Sequence, residues 1–416
     1  MRVLDLFSGI GGFSLAAHAV GFETAAFCEI EPYAQTILRR HFPGVPIFDD
    51  VKELTADALA HAESVRCEAG TDGVCGGSSC GDVSRELRHV TSDMGQGKRG
   101  GTADPLILTA GFPCQDISYA GKGAGLAGER SGLFYEVARL VGELRPDYVL
   151  LENVSALLTR GLDAVLGTLA SLRYDALWAC IPACAVGAPH RRDRVWLLAI
   201  PESPDSKQRL EAMYAHVLSR LTPFGDLREG WPTATASDAW GNELDRNGVV
   251  GKHNLGLGQA ARDTWSTPTV DDANNVTRAS GAFQSLTRDA QTWPTTAARD
   301  YKGVSGTGRQ ERKGNPLDTL PNAAGGSLNP DWVETLMGYP IGYTLPDGDP
   351  MCDLPSRWPA GLGAPQYEWE PPRLTSIKEN RSNRLKALGN SIVPEVALRW
   401  MEAISHDSRK EGRYAP

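Results

Sequence analysis

Long apolar runs are missing from this 416-residue chain. None approaches the roughly 18 residues that a membrane-spanning helix needs, so no membrane partner is expected. Cysteine is sparse, with 8 residues at positions 28, 67, 75, 80, 114, 180, 184 and 352. That is not the disulfide framework of a small secreted domain, and it predicts a reducing, cytoplasmic setting. The N-terminus does not read as a secretion signal either, because Asp5 interrupts the first apolar run and no cleavage site follows. Cationic excess is lacking too: the formal net charge is −9. This does not exclude a nucleic-acid partner, since binding needs only a local patch. Two stretches, 278–313 and 373–386, each carry a local charge of +4. At 41% hydrophobic and 22% charged the composition is that of an ordinary globular protein, which excludes wholesale disorder. The length suits two or three domains with full cores.

What is present is an alternation. Short apolar runs at 3–7, 24–28, 45–48, 106–110 and 148–151 predict buried strands, with further strands at 176–181 and 195–200. Helical spacing falls between them, as at Leu133, Val137, Leu140 and Leu144, and at Leu162, Val165, Leu169 and Leu172. Strands alternating with helices predict an α/β domain whose mostly parallel sheet is covered on both faces. Residues 61–103 interrupt this order and read as an inserted surface loop without periodicity. The loop holds Cys67, Cys75 and Cys80 between His61 and His89, at spacings unlike a tight zinc knuckle, so no metal is expected. From 201 to 372 the alternation stops and Trp, Pro, Thr, Asp and Gly dominate. Trp231–Asp238, Trp265–Asp272 and Trp293–Asp300 form a faint repeat, too uneven for a solenoid. Regular patterning returns at 327–343 and 384–400.

The predicted strands end in chemistry. The first runs into Ser8-Gly9-Ile10-Gly11-Gly12, a turn that lets backbone approach a ligand. The second ends at Glu29, placed to bind a ribose hydroxyl, although an acid opening the next helix would look the same. The third ends at Asp50, the fourth at Gly111-Phe112-Pro113-Cys114-Gln115, and the fifth at Glu152-Asn153-Val154. In a doubly wound sheet these ends share one edge, where ligands bind. A thiol beside a carboxyl suits covalent catalysis. Lys122, Arg130, Arg191, Arg192 and Arg194 are the cations available to favour a thiolate. The Gly-rich segment 121–128 could close over a substrate.

These residues carry a resemblance. Asp5-Leu-Phe-Ser-Gly-Ile-Gly-Gly-Phe13 resembles the first motif of the DNA cytosine-5 methyltransferases. Gly111–Gln115 is similar to their nucleophile motif, and Glu152-Asn153-Val154 to their Glu-Asn-Val motif. Pro189-His-Arg-Arg-Asp-Arg194 resembles the Arg-x-Arg motif, and Leu388-Gly-Asn-Ser-Ile-Val-Pro394 the closing motif. Order and spacing agree over about 1–200 and 327–400. Two departures stand out. His190 occupies a position where the family often has Gln, and the segment Ser327–Pro340 lacks the usual Arg near its start.

The resemblance implies a Rossmann-like S-adenosylmethionine-dependent methyltransferase domain over 1–200, completed by 373–416. It also implies a smaller, irregular target-recognition domain over 201–372. Phe7, Gly9 and Gly11 would cradle S-adenosyl-L-methionine, with Glu29 on the ribose, Ile30 on the adenine, and Asp50 and Val51 at its edge. Pro113, Leu133, Asn390 and Ser391 would complete that pocket. Cys114 would attack C6 of a cytosine flipped out of double-stranded DNA, Glu152 would hold N3, and Arg192 and Arg194 would steady Glu152 and the base. Arg299, Lys302, Arg309, Arg312 and Lys313 would contact DNA. The expected product is 5-methylcytosine in a specific sequence. A monomer paired with a restriction endonuclease for the same site, in a bacterial or phage-encoded system, is the expected setting. A tRNA cytosine-5 methyltransferase is the rival, but its Cys-Phe-Thr signature is absent from this chain. The Pro-Pro motif of amino-group methyltransferases is absent as well, whereas a variant using a modified cofactor stays open.

Overall fold

In the computed structural model, which describes residues 1–69, 105–113, 131–221, 293–304 and 319–412, the predicted strands assemble into a single sheet. The strands are β1 (Arg2–Leu6), β2 (Glu23–Cys28), β3 (Ile47–Phe48), β4 (Leu106–Ala110), β5 (Tyr148–Val154), β6 (Tyr174–Ile181) and β7 (Arg194–Pro201). Their order is β3-β2-β1-β4-β5-β7-β6. Strand β1 runs parallel to β2 and β4, β4 parallel to β5, and β7 antiparallel to both β5 and β6. Chain order reverses between β1 and β4, which is where such sheets open a crevice for ligands. Leu6 pairs with both Cys28 and Ala110, and Ala110 with Leu151, so β1, β2 and β4 end level while β5 runs on three residues to Val154.

Both sheet faces are covered. Along β1, side chains alternate faces: Val3 joins a core layer with Phe13, Trp196 and Trp400, while Leu4 and Leu6 join another with Phe134, Val137 and Leu140. Helices α1 (Gly12–His18) and α2 (Pro32–His41) follow β1 and β2. Helix α3 (Ala56–Ala69) corrects one expectation. Residues 61–69, read as the start of a patternless loop, continue a helix, and Leu59 in its first part is buried. The weak amphipathicity of this stretch hid it. Cys75, Cys80 and His89 lie outside the described residues.

Helix α4 (Phe134–Leu144) and helices α5 (Leu157–Arg160) and α6 (Leu162–Ser171) cover the β4–β5 side. Helix α7 (Ser206–Ser219) falls where the sequence loses its alternation, yet it packs on β6 and β7. Then come α8 (Leu320–Ala324), α9 (Pro330–Met337), α10 (Arg381–Asn390) and α11 (Pro394–Lys410). Helix α11 lies against α1 and α7. Its Asp407 accepts from Tyr148 on β5 at 2.8 Å and from Arg209 on α7 at 2.7 Å. The C-terminal segment therefore returns to the sheet. The α9 region is tied to the first helices as well: Tyr343 donates to the Ile10 carbonyl at 2.9 Å, and Arg40 donates to the carbonyls of Gly342 and Leu345. Glu334, wholly buried, accepts from Arg384 at 2.8 Å and from the Thr344 amide at 2.7 Å. Trp293, Leu320 and Trp332 thus share one core with Val3 and Ile10. Among the described residues no helix is long and apolar enough to cross a membrane, and no cluster of His, Cys, Asp and Glu is placed to hold a metal ion.

Asp5 is the polar exception inside this core. It shares the Val3 face and is wholly buried, accepting from Ser14 on α1 at 2.8 Å and from Thr109 on β4 at 3.0 Å. Burial pushes its carboxyl from the ordinary 3.8 up to about 7, against the pull of those two hydroxyls. A carboxyl that holds its proton better when folded stabilises the fold at low pH and loses that contribution as pH rises from about 4 to about 7. Asp5→Asn keeps the shape and removes the titration. We expect its stability in urea to vary less with pH than the wild type's across that window, by at most about 4 kcal/mol.

Candidate active site

The turn after β1 is wound left-handed. Phe7, Gly9 and Gly11 have φ of 52°, 54° and 81°. A Cβ at Gly9 would meet nothing within 4 Å, so this backbone faces open space. A Cβ at Gly11 would sit 2.8 Å from the Phe42 ring, so that glycine is required by packing of the turn on α2. The Gly9 amide donates to Glu29 Oε2 at 2.7 Å, and the Glu31 amide donates to Glu29 Oε1 at 2.8 Å. Glu29 is therefore held rigidly at the end of β2. Burial pushes its carboxyl up while the two amides oppose this. The next residue, Ile30, is 70% exposed, an apolar surface beside a fixed carboxylate. This pairing fits a nucleoside: a carboxylate for ribose hydroxyls and an aliphatic face for a base.

The other expected cofactor residues surround this edge. Asp50 is half-buried and accepts from the Lys52 amide at 3.0 Å. Val51 is buried, its carbonyl taken by Arg139. Pro113 and Leu133 are half-buried at the exits of β4 and the entry to α4. Asn390 is exposed at the end of α10. Ser391 is buried, and its hydroxyl donates to the Leu388 carbonyl at 2.9 Å.

Across the switch point lies a buried ion pair. Arg194 Nε donates to Glu152 Oε1 at 2.8 Å, with the side chains 20% and 11% exposed. Strand pairing explains the meeting, because Glu152 and Arg194 stand on adjacent antiparallel strands two residues apart in register. Burial pushes the Glu152 carboxyl up, and Arg194 and then Arg192 pull it back. A Cβ at Gly111 would sit 3.5 Å from Glu152 Oε2, so this carboxylate borders the exit of β4. Asn153 donates to the Phe112 carbonyl at 3.1 Å and fixes that exit. Cys114 comes next after Pro113 and lies outside the described residues, as do Lys122, Arg130 and the Gly-rich segment 121–128.

Arg192 favours the Glu152 carboxylate through its charge but makes no direct pair with it among the described residues. Its guanidinium donates to the carbonyls of Thr296 at 2.9 Å and Gly389 at 3.2 Å, and to that of Ser391. Among the described residues the ion pair with Glu152 is made by Arg194 alone. Residues i and i+2 share a face only within a strand. Arg192 precedes β7 and has φ 40°, so the alternation has not begun. His190 is wholly buried and contacts the Leu336 carbonyl at 2.9 Å. Burial pushes its ring down to about 3, so it is a neutral donor to that carbonyl. Gly389 was not singled out in the sequence, yet a Cβ there would fall 2.1 Å from the Ala298 amide nitrogen. Its signal was only its place inside the closing motif.

Of the expected DNA contacts, Arg299 and Lys302 are exposed on a short turn at Ala298–Lys302, while Arg309, Arg312 and Lys313 lie outside the described residues. The basic stretch 373–386 is largely structural. Arg373 lies over the Trp293 ring, Arg381 donates to the Leu328 carbonyl, Arg384 pairs with Glu334, and Lys386 with Glu31.

The fold and this edge define a Rossmann-like α/β protein built to hold a nucleoside-bearing cofactor beside a buried carboxylate. A sequence model of C-5 cytosine-specific DNA methylases matches residues 1–98 and 85–346. The chain belongs to the C-5 cytosine-specific DNA methylase family, whose members use S-adenosyl-L-methionine. It is 32% identical over 207 residues to the type II methyltransferase M2.BsuMI of Bacillus subtilis, covering 48% of this chain and 42% of that protein. It is 23% identical to M.DsaV of Dactylococcopsis salina, covering 84% of this chain and 79% of that one. The matched part thus spans less than half of the first relative's length. The fold is also similar to that of the Entamoeba histolytica methyltransferase EhMeth, with 13% identity, 98% of both chains covered and a TM-score of 0.47.

Gly389→Ala tests the close crossing of α10 by the 297–298 backbone. Alanine is the better helix former by about 1 kcal/mol, whereas overpacking costs roughly 1–3 kcal/mol. We expect net loss of stability on thermal melting and faster proteolysis near residue 298.

Proposed function

We propose that this chain transfers a methyl group from S-adenosyl-L-methionine to C5 of a cytosine flipped out of a specific double-stranded DNA sequence. The observation that carries the reading is the buried Glu152–Arg194 pair at 2.8 Å, level with the Gly9–Glu29 turn and bordering the segment that leads into Cys114. An acid kept dry and held by one arginine suits a group that must hand a proton to N3 of a base.

Phe7, Gly9, Gly11, Glu29, Ile30, Asp50, Val51, Pro113, Leu133, Asn390 and Ser391 would hold the cofactor. When bound, the cofactor supplies an electrophilic methyl group. The chain does the rest. The Cys114 thiolate adds to C6, forming an S–C6 bond, as Glu152 protonates N3. The electron pair displaced from the ring makes C5 nucleophilic, so that C5 would take the methyl as its bond to the sulfonium sulfur breaks and S-adenosyl-L-homocysteine leaves. Loss of the C5 proton to a base then expels the thiolate, and N3 returns its proton to Glu152. Arg194 holds the carboxylate in register throughout. Flipping costs a few kcal/mol of unstacking, which contacts elsewhere must offset.

Recognition falls to the region within 201–372, apart from α7. Arg299 and Lys302 on their exposed turn, with Arg309, Arg312 and Lys313, would engage phosphates and bases, positioning and specifying respectively. The frame is 1–200 with 373–416. A monomer acting in the cytoplasm, paired with a restriction endonuclease for the same site, completes the reading.

The test is nucleoside mass spectrometry of mixed-sequence duplex DNA after incubation with protein and S-adenosyl-L-methionine. We expect 5-methylcytosine from the wild type and none from Cys114→Ala. Glu152→Gln keeps shape but cannot deliver the proton, and its turnover should fall by about 10²–10⁴. No methylated cytosine on DNA rich in all short sites would overturn the reading; methylation of tRNA instead would favour the rival substrate.

A further inference from the structure

We propose that Arg192 is a positioning residue that couples DNA recognition to the cofactor pocket. The inference rests on the function proposed above. One buried guanidinium holds two segments that are otherwise far apart in the chain. The first is 295–296, within the described stretch 293–304: the Thr296 carbonyl accepts from Nη1, and the Arg192 amide donates to Thr295 Oγ1 at 3.2 Å. The second is the end of α10, where the Gly389 and Ser391 carbonyls accept from Nη2. The first segment adjoins the exposed Arg299–Lys302 turn, and the second carries Asn390 and Ser391. Two residues further along, Arg194 holds Glu152.

The geometry makes this junction tight. Arg192 adopts a left-handed backbone, uncommon for a residue with a side chain. Gly389 permits the 297–298 backbone to cross α10 in direct contact, so displacement of one segment must displace the other. Packed elements of this kind transmit shifts rather than absorb them. Arg192 Nε and Thr296 Oγ1 are buried here without a partner among the described residues, so the junction holds hydrogen-bonding capacity that a rearrangement can use. Lysine at 192 would keep the charge but could not span three carbonyls, because its ammonium is a single point.

The experiment is equilibrium binding of S-adenosylhomocysteine by calorimetry, without and with saturating duplex DNA that the wild type methylates. Coupling appears as the ratio of the two affinities, and reciprocity requires the same ratio for DNA binding. We expect a wild-type ratio of at least about 5, within the usual range of coupling between sites. Arg192→Lys should bring the ratio near 1. A merely structural role would lower melting temperature and both affinities while leaving the ratio unchanged. If Arg192→Lys does not fold, Thr295→Val decides, since it deletes one link of the same junction and should lower the ratio partway. A wild-type ratio of 1, or variants that keep the wild-type ratio, would overturn the coupling while leaving the methyltransferase reading intact. Failure of the wild type to bind S-adenosylhomocysteine at all would overturn both.

Discussion

Everything at the site depends on strands held in one parallel register. Pairing brings Leu6, Cys28, Ala110 and Leu151 abreast, so three strands end there while β5 carries Glu152 just past that line at the same edge. The reversal of order between β1 and β4 keeps the following helices on opposite faces and leaves that edge open. The glycine turn, Glu29, the Phe112–Pro113 exit and Glu152 are gathered by this constraint alone. Asp5 locks it from below, joining β1 to α1 and β4 through Ser14 and Thr109.

The two halves of the edge are held by different physics. At the end of β2, backbone amides of Gly9 and Glu31 fix Glu29, which needs no cation to stay oriented. On β5, Arg194 fixes Glu152 through charge, and burial works against that charge. In both places burial pushes the carboxyl up, and the groups that hold it, backbone amides at Glu29 and arginine charge at Glu152, oppose that rise.

Much of this was legible in the sequence because buried parallel strands read as continuous apolar runs. All seven strands coincide with apolar runs, although β7 pairs antiparallel with β5 and β6, and the polar residues closing the parallel strands are visible as punctuation. Helices α3 and α7 were less legible. The 61–69 stretch is weakly amphipathic, and α7 lies in a region whose composition had already changed. The structural use of Arg373, Arg381, Arg384 and Lys386 was hidden because their partners, such as Trp293, Leu328, Glu334 and Glu31, are distant in the chain.

The sequence by itself determined the strand order of chemistry: a glycine turn, then Glu29, then Glu152, then an arginine pair. Local patterns suffice for this, since each residue's role at a strand end depends on its own neighbours. Only the tertiary structure decided that the arginine pair divides, Arg194 to the buried carboxylate and Arg192 to the carbonyls of Thr296, Gly389 and Ser391. A left-handed backbone at Arg192 breaks the strand alternation, and carbonyls carry no sequence signature. Contacts between side chains and distant backbone therefore exist only once the chain has folded.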